Sequence, residues 1–188
     1  MLKLFFRDDF LKITSILFFL ILIVRIPITY GFLARDDIGQ LYGDIRAVHV
    51  YLSDGRYIPA LFLFLIDEIF EIEFPALITL RVLDCFALAM CCVAFVSAMR
   101  YCYEGRWSFD FGTLLLAGIP AGYPLLLENY SFAVNSPLRL VQFLSLSILA
   151  FSVIRRNYYI FSLSLLIILM NYQSGIQFAA IVTLRSEE

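Results

Sequence analysis

The fold turns on residues 75–99, PALITLRVLDCFALAMCCVAFVSAM. Apart from Arg81 and Asp84, the run is apolar or small throughout. A bilayer core about 30 Å thick takes roughly 20 residues of helix, so this run is long enough to cross it. Outward from it, residues 13–33, 109–127, 137–154 and 158–184 have the same character and lie near or above that length. The composition agrees: hydrophobic residues form 62% of the 188 and charged residues 16%, with a mean hydropathy of +0.87. Soluble domains are typically about 45–50% apolar and about 25% charged. A soluble core of this size cannot hide such a surplus, so lipid is the expected solvent for much of the chain. The expectation is an all-α, polytopic membrane helix bundle of about five transmembrane helices, one domain over residues 1–188.

Lys3, Arg7 and Lys12 precede the first apolar run. That run is too long for a signal-peptide core, and Phe32-Leu33-Ala34 makes a poor cleavage site. An uncleaved signal anchor with a cytoplasmic amino terminus is expected. Five spans then put Lys3, Arg7, Lys12, Arg100, Arg106, Arg155 and Arg156 inside, and Arg35, Arg46, Arg56, Arg139 and Arg185 outside. The excess is modest and has the sign of the positive-inside rule. A net charge of -2 offers no basic field for nucleic acid. Cys85, Cys91, Cys92 and Cys102 form neither a CxxC nor a Cys/His spacing and read as reduced packing residues. His49 is the only histidine, which excludes any mechanism built on a histidine pair.

Residues 35–74 differ from the rest. They hold eight of the 16 acids: Asp36, Asp37, Asp44, Asp54, Asp67, Glu68, Glu71 and Glu73. Ile38, Leu41, Tyr42, Ile45, Val48, His49 and Leu52 recur at three- and four-residue steps, one helical stripe with Asp37, Gln40 and Asp44 on the other face. Gly55 breaks the pattern, and residues 58–66 are apolar but too short to cross. Helices lying in the outer interface fit this stretch.

Asp36-Asp37 stands where the first run ends. Adjacent carboxylates at a low-dielectric surface repel, so one can keep its proton to higher pH, as suits a general base or a cation ligand. Asp is also a good N-cap for a helix starting at Ile38, and spacing alone favours that plainer role. Arg25, Arg81 and Asp84 fall inside spans, the two arginines on the order of 10 Å deep at about 1.5 Å per residue. A charge near the centre of a span costs about 2.5–3.5 kcal/mol, so each should have a partner. Arg81 and Asp84 are spaced to pair within their own helix. Two roles fit the three equally: a lock between two spans, or a seat for a lipid phosphate in the outer leaflet. Glu128-Asn129-Tyr130-Ser131-Phe132-Ala133-Val134-Asn135-Ser136 combines amides, hydroxyls and rings that suit a sugar, although aromatics also form the ordinary interfacial belt. Asn171-Tyr172-Gln173-Ser174-Gly175-Ile176-Gln177 places three amides at bilayer depth, where amides commonly join helices.

Four segments in order carry a resemblance: Asp36-Asp37-Ile38-Gly39, Asp54-Gly55-Arg56-Tyr57-Ile58-Pro59, Pro124-Leu125-Leu126-Leu127-Glu128-Asn129-Tyr130-Ser131-Phe132, and Asn171-Tyr172-Gln173-Ser174-Gly175. Together they resemble the Gtr-type (type II) glucosyltransferases, polytopic enzymes of bacterial O-antigen modification. That family shows a DD-containing first outer loop, a Gly-Arg-(Pro) step, a Leu-Glu-Asn-x-Ser-(Tyr/Phe) loop and a later Tyr-Gln pair. No single motif decides; their order over nearly the whole chain is the specific feature.

The resemblance implies a GT-C-like fold in the bacterial inner membrane. The implied donor is a polyprenyl-phosphate-linked sugar, glucose foremost, and the implied acceptor is a cell-surface glycan such as the O-antigen of lipopolysaccharide. By position it implies Asp36 or Asp37 as the base that deprotonates the acceptor hydroxyl. Arg56, with Arg25 and Arg81, would stabilise the departing phosphate. Asp44, Glu128, Asn129, Tyr130 and Gln173 would touch sugar or acceptor. No cofactor is assigned, and a divalent cation at the carboxylates is the candidate. Family members are longer and commonly carry Arg and Asp where Ala133 and Asn135 stand, so an amino-terminal portion or a truncated, inactive product is expected.

Two readings compete with an enzyme: a non-catalytic partner or translocator of lipid-linked sugars, and a small transporter using Arg25, Arg81 and Asp84. A transporter concentrates ionisable groups at the midplane and often shows inverted repeats. Here the acids gather at one surface, which favours the enzyme.

Overall fold

The computed structural model describes residues 8–31, 60–61, 64–65, 74–105, 109–122 and 136–171, which are helices joined by turns with no strand among them. Five helices follow in order: α1 (Asp8–Gly31), α2 (Phe74–Glu104), α3 (Phe111–Ala121), α4 (Ser136–Ile154) and α5 (Tyr158–Asn171). Each overlaps one apolar run, so the helical class stands. Among the described residues, Thr79–Glu104 is the one helix both long and apolar enough to cross a membrane. The interfacial helices expected within 35–74 lie outside the described residues, except that 60–61 and 64–65 are helical.

The helix ends depart from the apolar runs for local reasons. Asp8 and Asp9, in the first turn of α1, complement the positive end of the helix. α2 continues past Met99 because Arg100 Nε donates to Glu104 Oε1 at 3.0 Å, one turn on. Gly105 then stops it with a φ of 67°, which glycine alone takes without strain. α3 has 11 residues inside the expected 109–127, of which 123–127 lie outside the described residues. At about 1.5 Å per residue it is roughly 16 Å long, about half a bilayer core. Asp110 caps its start by accepting from Thr113 N–H at 2.9 Å. Its end holds Gly118, Pro120 and Gly122, weak helix formers that hydropathy alone does not register, and Gly122 N–H folds back to the Gly118 carbonyl at 3.0 Å.

α2 is the hub. α1, α3 and α4 pack on it, α5 packs on α4, and α1 also meets α3. Small buried residues on α2 (Cys85, Ala87, Ala89, Cys92, Ala94 and Ala98) let its neighbours approach closely. Fully buried Phe10 sits edge-on to Phe109 at 5.6 Å and to Phe151 at 5.5 Å. The start of α1, the approach to α3 and the end of α4 therefore share one end of the bundle. Arg25, Arg81, Asp84 and Arg139 lie toward the opposite end, so α2 and α4 run in one direction and α1 in the other.

α4 reverses into α5 through a tight turn. Asn157 N–H returns to Ser152 O and Arg156 N–H to Val153 O, each at 3.0 Å. That is a Schellman arrangement, and the residue in its left-handed position is Arg156, with a φ of 51°. Asn157 Oδ1 then accepts from Ile160 N–H at 3.2 Å and starts α5.

The outward faces are apolar. Ile16, Phe19, Leu20, Ile23 and Val24 on α1, Leu115, Leu116 and Ile119 on α3, and Leu163, Leu166 and Leu169 on α5 are exposed. Thr14, Ser97, Thr113, Ser145, Ser147, Ser152 and Ser164 are buried instead. Soluble proteins favour the reverse partition. The Ser147 and Ser152 hydroxyls are satisfied within α4, donating to Phe143 O and Leu149 O at 2.7 Å each.

At the Phe10 end, Arg100 Nη1 donates to Asp110 Oδ1 at 2.6 Å and to Thr113 Oγ1 at 3.0 Å, joining α2 to α3. Asp110→Ala removes both the cap and this ion pair. The cap contributes about 1 kcal/mol, and a half-exposed ion pair adds at most about 1 kcal/mol. A loss of about 1–2 kcal/mol is expected in detergent melting, and an unchanged melting curve would mean that α3 is held in place by other contacts.

Candidate functional site

Four ionisable side chains meet toward the end of the bundle opposite Phe10. Arg25 lies on the last two turns of α1, Arg81 and Asp84 on the second and third turns of α2, and Arg139 on the first turn of α4. At about 1.5 Å per residue, Arg81 and Asp84 stand on the order of 10 and 15 Å along α2 from Phe74.

Arg139 Nε donates to Asp84 Oδ2 at 2.7 Å, with the two side chains 5% and 0% exposed. Arg25 and Arg81 lie within electrostatic reach of the same carboxylate, and each residue is 2% exposed. Asp84 Oδ1 is buried without a hydrogen bond, as are Arg25 Nη2 and Arg81 Nε. Both of these arginines have further interactions. Three guanidinium groups from three helices thus surround one carboxylate among the described residues.

This arrangement corrects two expectations. Arg139, counted with the outer charges, is buried and is the hydrogen-bonded partner of Asp84. Arg81, expected to pair with Asp84 inside α2, supplies only field to it. Helical side chains lean toward the amino terminus, so Arg81 leans away from a residue one turn further on. Arg139 approaches from the facing helix and carries no such handicap. A signal for it existed in the sequence: Arg139, Gln142 and Ser145 recur every three residues on α4, and all are buried. Such a polar stripe within an apolar run marks a helix face turned toward protein.

Asp36, Asp37, Asp44, Arg56, Glu128, Asn129, Tyr130 and Gln173 lie outside the described residues. The chain path still relates them to the cluster. α1 ends at Gly31, just ahead of Asp36-Asp37, and α4 opens at Ser136, just after Glu128-Asn129-Tyr130. α2 starts at Phe74, the last residue of the acidic 35–74 stretch. α5, running back alongside α4, reaches Asn171, two residues before Gln173. All of these helix ends point away from Phe10.

Chemically, the cluster suits an anion. Guanidinium groups match the geometry of phosphate and carboxylate oxygens, and they hold charge at any working pH. Buried in a medium of low dielectric, they attract an anion far more strongly than at a wet surface. No group of three or more His, Cys, Asp or Glu among the described residues is placed to hold a metal ion.

No family model, curated protein or solved structure matches this chain.

Proposed function

We propose that the chain is a membrane glycosyltransferase, or the amino-terminal portion of one. It transfers a sugar, glucose foremost, from a polyprenyl-phosphate donor to the O-antigen or another cell-surface glycan. In this reading it crosses the bacterial inner membrane about five times with its amino terminus in the cytoplasm. The observation that carries it is the convergence of Arg25, Arg81 and Arg139 on Asp84 at the end of the bundle where α1 and α5 finish and α2 and α4 begin. The apolar outward faces of α1, α3 and α5 support lipid as their solvent.

The reaction needs a base and a stabilised leaving group. Asp37 or Asp36 takes the proton of the acceptor hydroxyl, and the oxygen attacks the anomeric carbon. The bond from that carbon to the phosphate oxygen breaks, and the electron pair leaves with the polyprenyl phosphate. Its charge is met by guanidinium groups already in place, which contribute most when they need no reorganisation. Arg56 belongs with them by its motif, and Asp44, Glu128, Asn129, Tyr130 and Gln173 are the proposed sugar or acceptor contacts. A divalent cation at the carboxylates is the remaining option for a cofactor.

Titrating the purified chain with a polyprenyl monophosphate tests the seat. Arg81→Gln is expected to weaken binding at least about tenfold, the loss of one charge-assisted contact worth about 1.5–3 kcal/mol, while Arg81→Lys keeps part of the affinity. Failure of the native chain to bind, or equal binding by Arg81→Gln, would leave the arginines as a lock between helices and remove the main support for the transferase.

A further inference from the structure

We propose that the turn between α4 and α5 is a second anion site, for the phosphate of an anionic lipid headgroup. This site lies at the opposite end of the bundle from the arginine cluster, and its lipid source rests on the membrane reading above. A cavity of about 200 Å³ opens there, lined by Ser152, Arg155, Asn157 and Ile160. That is room for several waters at about 30 Å³ each, or for a phosphate with its attached glycerol oxygens. Arg155 lines the cavity and is exposed, as is Arg156, the next residue of the turn. The Oδ1 atom of Asn157 is occupied by Ile160 N–H, which leaves the two N–H donors of its amide for a ligand. The Ser152 proton goes to Leu149 O, so the donors to an anion are Arg155 and Asn157.

Two cationic side chains, Arg155 and Arg156, belong to this turn. The carbonyl end of α4 carries roughly half a negative charge, and the two arginines exceed it. The acids at that end belong to other elements: Asp8 and Asp9 open α1, and Glu104 and Asp110 are held by Arg100. Arg156 adds a second argument. It occupies the left-handed position of the turn, φ 51°, where glycine is the unstrained choice. A charged side chain kept at a strained backbone position points to use of that side chain. Tyr158 and Tyr159, 75% and 91% exposed, follow at once and suit the headgroup layer, where amphipathic rings gather.

The test uses the full chain in nonionic detergent, titrated with short-chain phosphatidylglycerol, phosphatidylcholine or inorganic phosphate, with bound lipid counted by native mass spectrometry. One phosphatidylglycerol per chain is expected, preferred at least tenfold over phosphatidylcholine, and Arg155→Gln with Arg156→Gln should abolish that preference. Arg156→Gly alone should raise the melting temperature while weakening phosphatidylglycerol binding severalfold, a combination that misfolding cannot produce. Equal binding of the two lipids, or an unchanged preference in the double variant, overturns the site. Displacement by millimolar inorganic phosphate would keep the site but overturn the lipid as its source. Release of the chain from membranes by alkaline carbonate would overturn the membrane reading alone, because the detergent titration reads the site without a bilayer.

Discussion

Asp84→Asn is expected to be the most damaging single substitution in the described helices, with a loss of about 3–5 kcal/mol, the range for breaking a buried ion pair from one side. The reason is arithmetic among the charges. Asp84 is the one carboxylate among three guanidinium groups in the described cluster, so removing it leaves Arg25, Arg81 and Arg139 facing one another in a poor solvent for charge. Arg139→Met removes the hydrogen bond but leaves Asp84 with two arginines in reach, and should cost less. Combining the two substitutions should recover part of the loss, since Arg139 no longer needs its partner, and the double-mutant cycle measures that coupling directly. Neutral hydrogen bonds between membrane helices average only about 0.6 kcal/mol. If Asp84→Asn lost no more than that in denaturant titration, the pair would behave as an ordinary polar contact and the charge argument would fail.

The helices were legible because apolarity at membrane-spanning length is a coarse signal that tolerates error. All five runs overlap a helix, although hydropathy does not register Gly118, Pro120 and Gly122, the weak helix formers at the end of α3. Arg25, Arg81 and Asp84 were legible as a group for a stronger reason: buried charge is costly, so charges at matching depth on neighbouring helices must meet. Arg139 was not, because closeness to the end of a run made it look like a loop charge. Its depth becomes clear only when the three-residue stripe with Gln142 and Ser145 is read as one face. The Arg156 backbone was illegible too, since a Schellman turn normally announces itself with glycine.

Asp37→Asn is expected to reduce sugar transfer by about 10²–10⁴, the usual contribution of a general base. The prediction applies to a chain that carries the full acceptor site, and it follows from position in the sequence. A helix over 38–52, expected from the spacing, would put Asp37 on one face with Gln40 and Asp44, opposite Ile38, Leu41, Ile45 and Val48, and a base must sit on the polar side. Asp36 is then left to cap that helix or to hold Arg35. The two variants should therefore separate: Asp37→Asn loses activity at normal abundance and melting temperature, whereas Asp36→Asn loses about 1 kcal/mol of stability and less activity. The arginine cluster supplies an internal control. Arg81→Gln should weaken donor binding, while Asp37→Asn should leave polyprenyl-phosphate affinity unchanged, because a base acts on the acceptor rather than on the phosphate. Near-normal transfer by Asp37→Asn would remove it as the base and pass the role to Asp36, Asp44 or Glu128. Loss of donor binding in that variant would instead make Asp37 a structural partner of the arginines, one of the acids that a cluster rich in guanidinium groups is built to attract.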